Sequence, residues 1–352
     1  MKVFLKIIIW VMAVFFVLFV VAGIGVALYG KKIIVAQIEK KVNAKVSLQG
    51  VGMSLPFSLN LDQLQIGEFF KVDQVRVSFP IKITLVDPVI NLEQSQDGKL
   101  NLPEIIRGQK SKKPAIILTA LCVKNGKIIF TDKTVSPDGY KTIAERISAD
   151  ISKEMMPLDS LKVNFKISAN IMDGSEQALG SMDFSGWLDW EKKDMDAVSN
   201  IKNMEVTHFQ PYYGNFFSER KLLSAKLNLT SKFDAKNNDL KINNNFQLSK
   251  IVYAQQQETQ LEPGQLPDFD FKKRALDLFT DRNGNLNLEF TLTTKLDRPR
   301  FNKQELKDVM LEAAQRNLAN QPPQDVAEKI YKTIQDFKDF GKQMEDIFKN
   351  KQ

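Results

Sequence analysis

Reactive side chains are scarce in this chain. Its 352 residues include one cysteine, Cys122, and one histidine, His208. A single cysteine excludes an internal disulfide and every cysteine-based zinc spacing. Neither residue sits in a motif that would support nucleophilic catalysis, so packed or surface roles account for both. No phosphate-cradling glycine loop, nucleophile elbow, metal-binding helix or dinucleotide fingerprint occurs. Asp97, Asp138, Asp173 and Asp281 adjoin or precede turns, where aspartate is favoured for bonding to its own backbone. No carboxylate pair combines a partner with a pocket signal, as acid–base chemistry requires. These absences predict a protein that is not an enzyme, with no catalytic residue, no cofactor and no metal.

Arginine is also scarce. Nine arginines stand among 49 basic residues, and the lysines are spread along the chain among 42 acids, for a net charge of +7. Nucleic-acid readers concentrate basic charge on one face and favour arginine for bidentate contacts. The expectation is no nucleic-acid partner, with the charges forming solvated faces.

The strongest positive signal is IIIWVMAVFFVLFVVAGIGVALY, Ile7 to Tyr29, an uncharged apolar run of 23 residues. A helix of this length spans roughly 34 Å, slightly more than the ~30 Å hydrocarbon core of a bilayer. Trp10 and Tyr29 lie near its ends, where amphipathic rings favour the interface. The run exceeds the apolar region of a cleaved signal, and Ala27-Leu28-Tyr29 is a poor cleavage site. Residues 1–30 therefore read as a single-span transmembrane anchor. Lys2 and Lys6 precede the span, while Lys31, Lys32, Lys40, Lys41 and Lys45 follow it. That balance alone favours a cytoplasmic body, but long domains translocate largely regardless of charge. On residues alone both compartments stay open.

After a short amphipathic helical stalk, Lys31–Asn43, the apolar pattern takes a period of two. FSLNL (57–61), VRVSF (75–79), IKITL (81–85), LKVNFKISA (161–169), MDFSGWLDW (182–190), AKLNL (225–229), LKINNNFQL (240–248) and LNLEFTL (286–292) all alternate. Such alternation predicts antiparallel strands with one apolar and one polar face. The apolar phase slips before Leu64–Ile66, which predicts a bulge near Asp62-Gln63. Asp97-Gly98, Asn125-Gly126, Asp138-Gly139, Asp173-Gly174 and Asn283-Gly284 are read as tight turns between strands. RGQKSKKPA (107–115) reads as a loop and QQQETQLEPGQLPD (255–268) as a longer linker.

PYYGNFF (211–217) is the densest aromatic cluster and reads as packing at a turn. Trp187 and Trp190 fall on opposite strand faces. From about Asn302 a helical period takes over. Leu306, Val309, Met310, Ala313 and Leu318 form one stripe. After Pro322-Pro323 a second helix carries Val326, Ile330, Ile334, Phe337, Gly341, Met344 and Phe348 at steps of three or four. The expected organisation is an anchor over 1–30, a repetitive β domain over 31–300 and a helical segment over 301–352.

Roughly a dozen strands thus carry an apolar face, with almost no helix in the middle of the chain to cover it. A self-covered sandwich or barrel is one solution. The other is a long curved sheet whose apolar side stays open as a groove for acyl chains. Periodicity does not choose between them. Candidate groove-lining positions are Val75, Val77, Phe79, Val163, Phe165 and Ile167.

Several segments in series resemble the AsmA-like family of bacterial envelope proteins. They are VSLQGVGMSLPFSLNLDQLQIG (46–67), VDQVRVSF (72–79) and DPVINLEQSQDGKLNLPEI (87–105), then KNGKIIFTDKTVSPDGYKTIAERISADI (124–151) and ALDLFTDRNGNLNLEFTLTTKLDRPRFN (275–302). The resemblance implies an inner-membrane anchor with a periplasmic body. It also implies a β-groove related to bridge-like lipid-transfer proteins, phospholipid or another acyl lipid as ligand, and an envelope protein as a further possible partner. At ~4.8 Å per strand, a dozen strands extend only about 60 Å. The chain is thus shorter than relatives that span the gap between two membranes. A segment of a multi-chain conduit, transfer to a partner and loss of transport all stay open.

Overall fold

A computed structural model of the chain describes residues 29–42, 44–54, 58–78, 81–102, 119–153, 162–213, 222–254, 280, 281, 283–300, 303–319, 322 and 324. The apolar run before Tyr29, the loop 107–115, the linker 255–268, Phe79, the end of the aromatic cluster at 214–217 and the second C-terminal helix lie outside the described residues. Among those described, no helix is long and apolar enough to cross a membrane. They are mainly β and fall into two compact units. The first comprises 1–178 with 183–189, and the second 179–182 with 190–352.

The first unit opens with helix α1 (Lys31–Glu39), followed by strands β1 (Val46–Ser47), β2 (Gly50–Ser54), β3 (Ser58–Ile66), β4 (Phe70–Ser78), β5 (Lys82–Val86), β6 (Val89–Gln94), β7 (Ala120–Asp132), β8 (Tyr140–Lys153) and β9 (Lys162–Asp173). Hydrogen-bonded neighbours run β1-β3-β4-β5-β7-β8-β9, with β2 beside β3, and β6 beside β4 and β7. Ile34, Val35 and Ile38 of α1 pack on a cluster formed by Val46, Leu48, Val51, Leu61, Leu64, Val72 and Val75. The expectation of antiparallel strands fails at one place. β5 and β6 both run parallel to β7, pairing with its first and second halves. They act as one interrupted strand broken at Asp87-Pro88, where Asp87 has φ 51° and proline lacks a donor for the ladder.

Strand β10 (Ala178–Asp189) contributes residues to both units. The second unit continues with β11 (Asp194–Glu205), a 3₁₀ turn at Val206–Phe209, the short helix α2 (Gln210–Tyr213), β12 (Leu222–Lys236), β13 (Asp239–Tyr253), β14 (Leu286–Lys295) and helix α3 (Lys303–Ala319). β11 to β14 pair antiparallel in chain order. Val309 and Ala313 of α3 pack against a core of Val206, Leu222, Ala225, Phe246, Leu248, Leu286, Leu288 and Phe290. At the outer edge of β14, Arg316 donates to the Glu289 carbonyl at 3.5 Å and Asn317 donates to the Asn287 carbonyl. Helix α3 so occupies edge acceptors that an incoming strand would need.

The turns in DGKLNL (97–102) and NGNLNL (283–288), both followed by Leu-Asn-Leu, share one geometry. In each, the first residue's N–H donates to the carbonyl four residues on, and a left-handed glycine donates back: Ser95/Gly98 with φ 82° and Asp281/Gly284 with φ 73°. Their leucines diverge. Leu100 and Leu102 are exposed, whereas Leu286 and Leu288 are buried in the core of the second unit.

A third turn is present as expected but takes its left-handed residue elsewhere, and two other sequence expectations are corrected. Asp173-Gly174 does open a turn of the same hydrogen-bonded form, but its left-handed residue is Glu176 with φ 63°. The Asp173 carboxylate, accepting from the Ser175 and Gln177 N–H groups, stabilises that conformation without glycine. Asn125-Gly126 is not a turn but the middle of β7. Asn125 takes φ 53° and the register shifts on both sides of Gly126. A Cβ at Gly126 would stand 2.9 Å from Val123 and 3.2 Å from Ile147, so close strand packing selects the glycine. The phase slip at Asp62-Gln63 is real, yet no bulge produces it. Pairing resumes in the same register at Leu64↔Val72, and Gln63, with φ 48°, turns the side chains over.

Candidate functional site

Cross-strand pairing places directly opposed side chains on the same face of a sheet. In the first unit, the registers link Leu59, Val77, Ile83, Leu121, Ile151 and Phe165 into one row across β3, β4, β5, β7, β8 and β9. A second row beside it joins Leu61, Val75, Leu85, Val123, Ala149 and Ile167 through the same strands. Neither row contains a titratable or hydrogen-bonding side chain. Leu61, Val75 and Ala149 are buried; the other nine positions are only half-buried. The face turned the other way is polar, as in the row Asn60, Arg76, Thr84, Cys122, Asp150 and Lys166.

Of the six candidate lining residues, Val75, Val77, Phe165 and Ile167 fall in these two rows. Val163 precedes Phe165 on the same strand face and pairs with Lys153 at the end of β8. The Phe165 ring packs on Phe184, with centroids 4.7 Å apart. Sequence reasoning missed the central strands, with Leu121 and Val123 of β7 and Ala149 and Ile151 of β8. Ile147, Ala149 and Ile151 do alternate, but the irregular β7 segment CVKNGKI masks the period next to them. Trp187 and Trp190 have separate surroundings. Lys162 Nζ lies 4.6 Å from the Trp187 ring centroid, and Trp190 is exposed just past the end of β10.

The second unit has the same two-faced plan with a different outcome. Rows such as Ile201–Leu229–Phe246–Leu288 and Met204–Leu227–Leu248–Leu286 make its apolar side. Here Met204, Phe246, Leu248, Leu286 and Leu288 are buried, Leu248 and Leu288 at 2% and 3% exposure, while Ile201, Leu227 and Leu229 stay half-buried, so this side is the more covered of the two. One row is partly polar: Ser199, Ser231, Asn244 and Phe290. The buried Ser231 hydroxyl donates to Asn244 Oδ1 at 2.7 Å, and Asn244 donates to the Ile242 and Phe290 carbonyls at 3.3 and 3.4 Å. With its polar atoms bonded, this row adds order at little desolvation cost. On the opposite side run three polar rows, Asn228–Gln247–Asn287, Thr230–Asn245–Glu289 and Lys232–Asn243–Thr291. They floor a groove of about 1540 Å³ whose wall is α3.

Chemistry-bearing groups are sparse at either site. Among the described residues no cluster of three or more His, Cys, Asp or Glu side chains could hold a metal ion. Cys122 is buried on the polar side of the first unit, its Sγ 3.0 Å from Asp150 Oδ1. Burial first, and then the Asp150 carboxylate, push its thiol pKa up, which suppresses the nucleophilic thiolate. The two apolar rows of the first unit carry no side chain for acid–base or nucleophilic chemistry. Comparison of the chain with known protein families, with curated proteins and with solved structures finds no match.

Proposed function

We propose that the chain is a membrane-anchored periplasmic protein that binds or conducts lipid acyl chains along the apolar face of its first unit, and so serves envelope lipid homeostasis. The observation that carries this reading is the pair of uninterrupted apolar rows on six strands, half-buried at nine of twelve positions. Six strands extend roughly 24 Å from first to last. One leaflet of hydrocarbon is about 15 Å deep, half the ~30 Å core. An acyl chain laid along the rows would bury its methylenes at ~0.8 kcal/mol each. The mechanism is passive, with headgroups staying in water and no residue doing chemistry. The anchor, the compartment and the kinship with envelope lipid carriers rest on the apolar run Ile7–Tyr29 and on the AsmA-like resemblance.

The covered apolar side of the second unit favours a second reading for that part of the chain. It would act as a self-contained module that holds an envelope protein partner through its helical end. Both readings are non-enzymatic.

Lipid mass spectrometry on the protein purified without detergent, as the anchor-free body 31–352 from the periplasm of an expressing bacterium, tests the leading reading. Co-purified phospholipid near stoichiometry is expected, with Phe165→Asp reducing it at least fivefold while the circular dichroism of the fold is kept. A folded, lipid-free body would sink the lipid reading and leave the partner-binding one.

A further inference from the structure

The groove on the polar side of the second unit has a floor of five amide and two hydroxyl side chains, with Lys232 and Glu289 among them, and four of the amides are each tied to a neighbour. Asn243 Oδ1 accepts from the Thr291 hydroxyl at 2.9 Å. Asn245 Nδ2 donates to Glu289 at 3.4 Å, and Asn287 Nδ2 to Asp281 at 3.4 Å. Gln247 Oε1 accepts from Asn228 Nδ2 at 3.3 Å. Each of the four amides therefore spends one end on a neighbour and keeps the other. Asn243 Nδ2 and Gln247 Nε2 are left as donors, and Asn245 Oδ1 and Asn287 Oδ1 as acceptors, with no further partner among the described residues. Fixed orientation lowers the entropic cost of using them. The positions repeat at ~4.8 Å between strands and ~6.8 Å along them.

Charge decides the ligand class. The lining carries Lys232 and Arg316 against Glu289 and Glu312, which balance. A phosphate or nucleic acid would need a net positive floor. An extended peptide would pair with a strand edge, but at β14 the Asn287 and Glu289 carbonyls are already taken by Asn317 and Arg316. What matches alternating free donors and acceptors on a neutral floor is an uncharged molecule dense in hydroxyls, each of which both donates and accepts. We infer that this groove binds a neutral, linear oligosaccharide through Asn243, Asn245, Gln247 and Asn287. The site lies in a different unit from the apolar rows and does not depend on the lipid reading.

The test is isothermal titration of the full chain, held in a detergent without a sugar headgroup, with maltohexaose, cellohexaose and chitohexaose in turn. At least one hexasaccharide is expected to bind. The double variant Asn243→Asp/Gln247→Glu, which swaps both free donors for acceptors, should weaken binding at least tenfold, while Phe165→Asp leaves it unchanged. Should the double variant fail to fold, Thr291→Val removes only the hydroxyl that orients Asn243 and should weaken binding about threefold. No binding by any of the three sugars, competition by inorganic phosphate, or undiminished binding by the folded variants would overturn the inference.

Discussion

Glu205 ends β11 and engages partners through both of its carboxylate oxygens. Its Oε1 accepts from the Ala225 N–H at 3.0 Å and from the Thr207 hydroxyl at 2.7 Å. Oε2 accepts from the Ser224 hydroxyl at 3.0 Å and lies 3.4 Å from Lys226 Nζ. These contacts tie the end of one strand to the start of the next, just past the register shift between Ile201 and Met204. Burial alone raises the carboxyl pKa, but the Ala225, Thr207 and Ser224 hydrogen bonds outweigh it and hold the group below its ordinary value of 4.5. A depressed folded pKa contributes stability that is present above the unfolded value and lost as pH falls through the folded one. Glu205→Gln is therefore expected to cost about 1.5–3 kcal/mol at pH 7, the range for hydrogen bonds to a charged group. The difference between variant and parent should shrink as the pH is lowered below 4.5. Urea titrations at pH 7 and pH 3.5 check it; a difference that does not change with pH would mean the bonds do not depend on the charge.

Among the elements, the strands were legible in the sequence and their joints only partly so. β12, β13 and β14 follow the alternation of AKLNL, LKINNNFQL and LNLEFTL because a half-buried strand imposes a period of two. Turns were legible where glycine supplied the left-handed residue, as at Gly98, Gly139 and Gly284. Asp173-Gly174 was legible too, although Glu176 is its left-handed residue; a turn with no glycine was not. The β12–β13 hairpin turns on Asn237 and Asn238, both left-handed at φ 49° and 78°, with Lys236↔Asp239 as the closing pair. That is the mirror-type turn which fits strand twist, here written without a glycine. The cross-strand rows were illegible because register is a property of pairs: left-handed residues at Arg146, Asn203 and Lys250 sit where it shifts within strands, and Gln63 turns the side chains over without shifting it. The amide floor did leave a signal in the run Asn243-Asn244-Asn245, unusual inside a strand, where asparagine is depleted. Asn237→Ala should destabilise the second unit by about 1–2 kcal/mol, the left-handed penalty for a residue with Cβ and no local polar bond. Asn237→Gly should be neutral or better. Equal losses for both variants in thermal unfolding would show that the turn is held by contacts other than its own backbone preference.

At the scale of the whole molecule, one pattern of alternation produces two different apolar faces. In the first unit nine of the twelve positions in the rows through Ile151 and Val123 are half-buried; in the second five of the eight positions in the rows through Leu248 and Leu288 are buried, with Ile201, Leu227 and Leu229 half-buried. Sequence cannot make this distinction, since both faces are written with the same leucines, isoleucines and phenylalanines. Truncation can. A large-to-small change costs the lost transfer energy and also a cavity term wherever neighbours enclose the site. Leu248→Ala should then lose ~2–5 kcal/mol. Ile151→Ala, on the half-buried face, should lose less than about 1.5 kcal/mol, since little enclosed volume is created and water or lipid refills the space. The urea midpoints of the two variants decide the matter. A small loss at Ile151 that grows when acyl lipid is supplied would mean that the ligand completes the packing of the first unit, which ties the lipid reading to stability. Losses as large at Ile151 as at Leu248, in lipid-free protein, would mean that the first face is sealed in solution too. A sealed face has no room for an acyl chain, and the function would then have to be sought in the polar groove and in the partner-binding end.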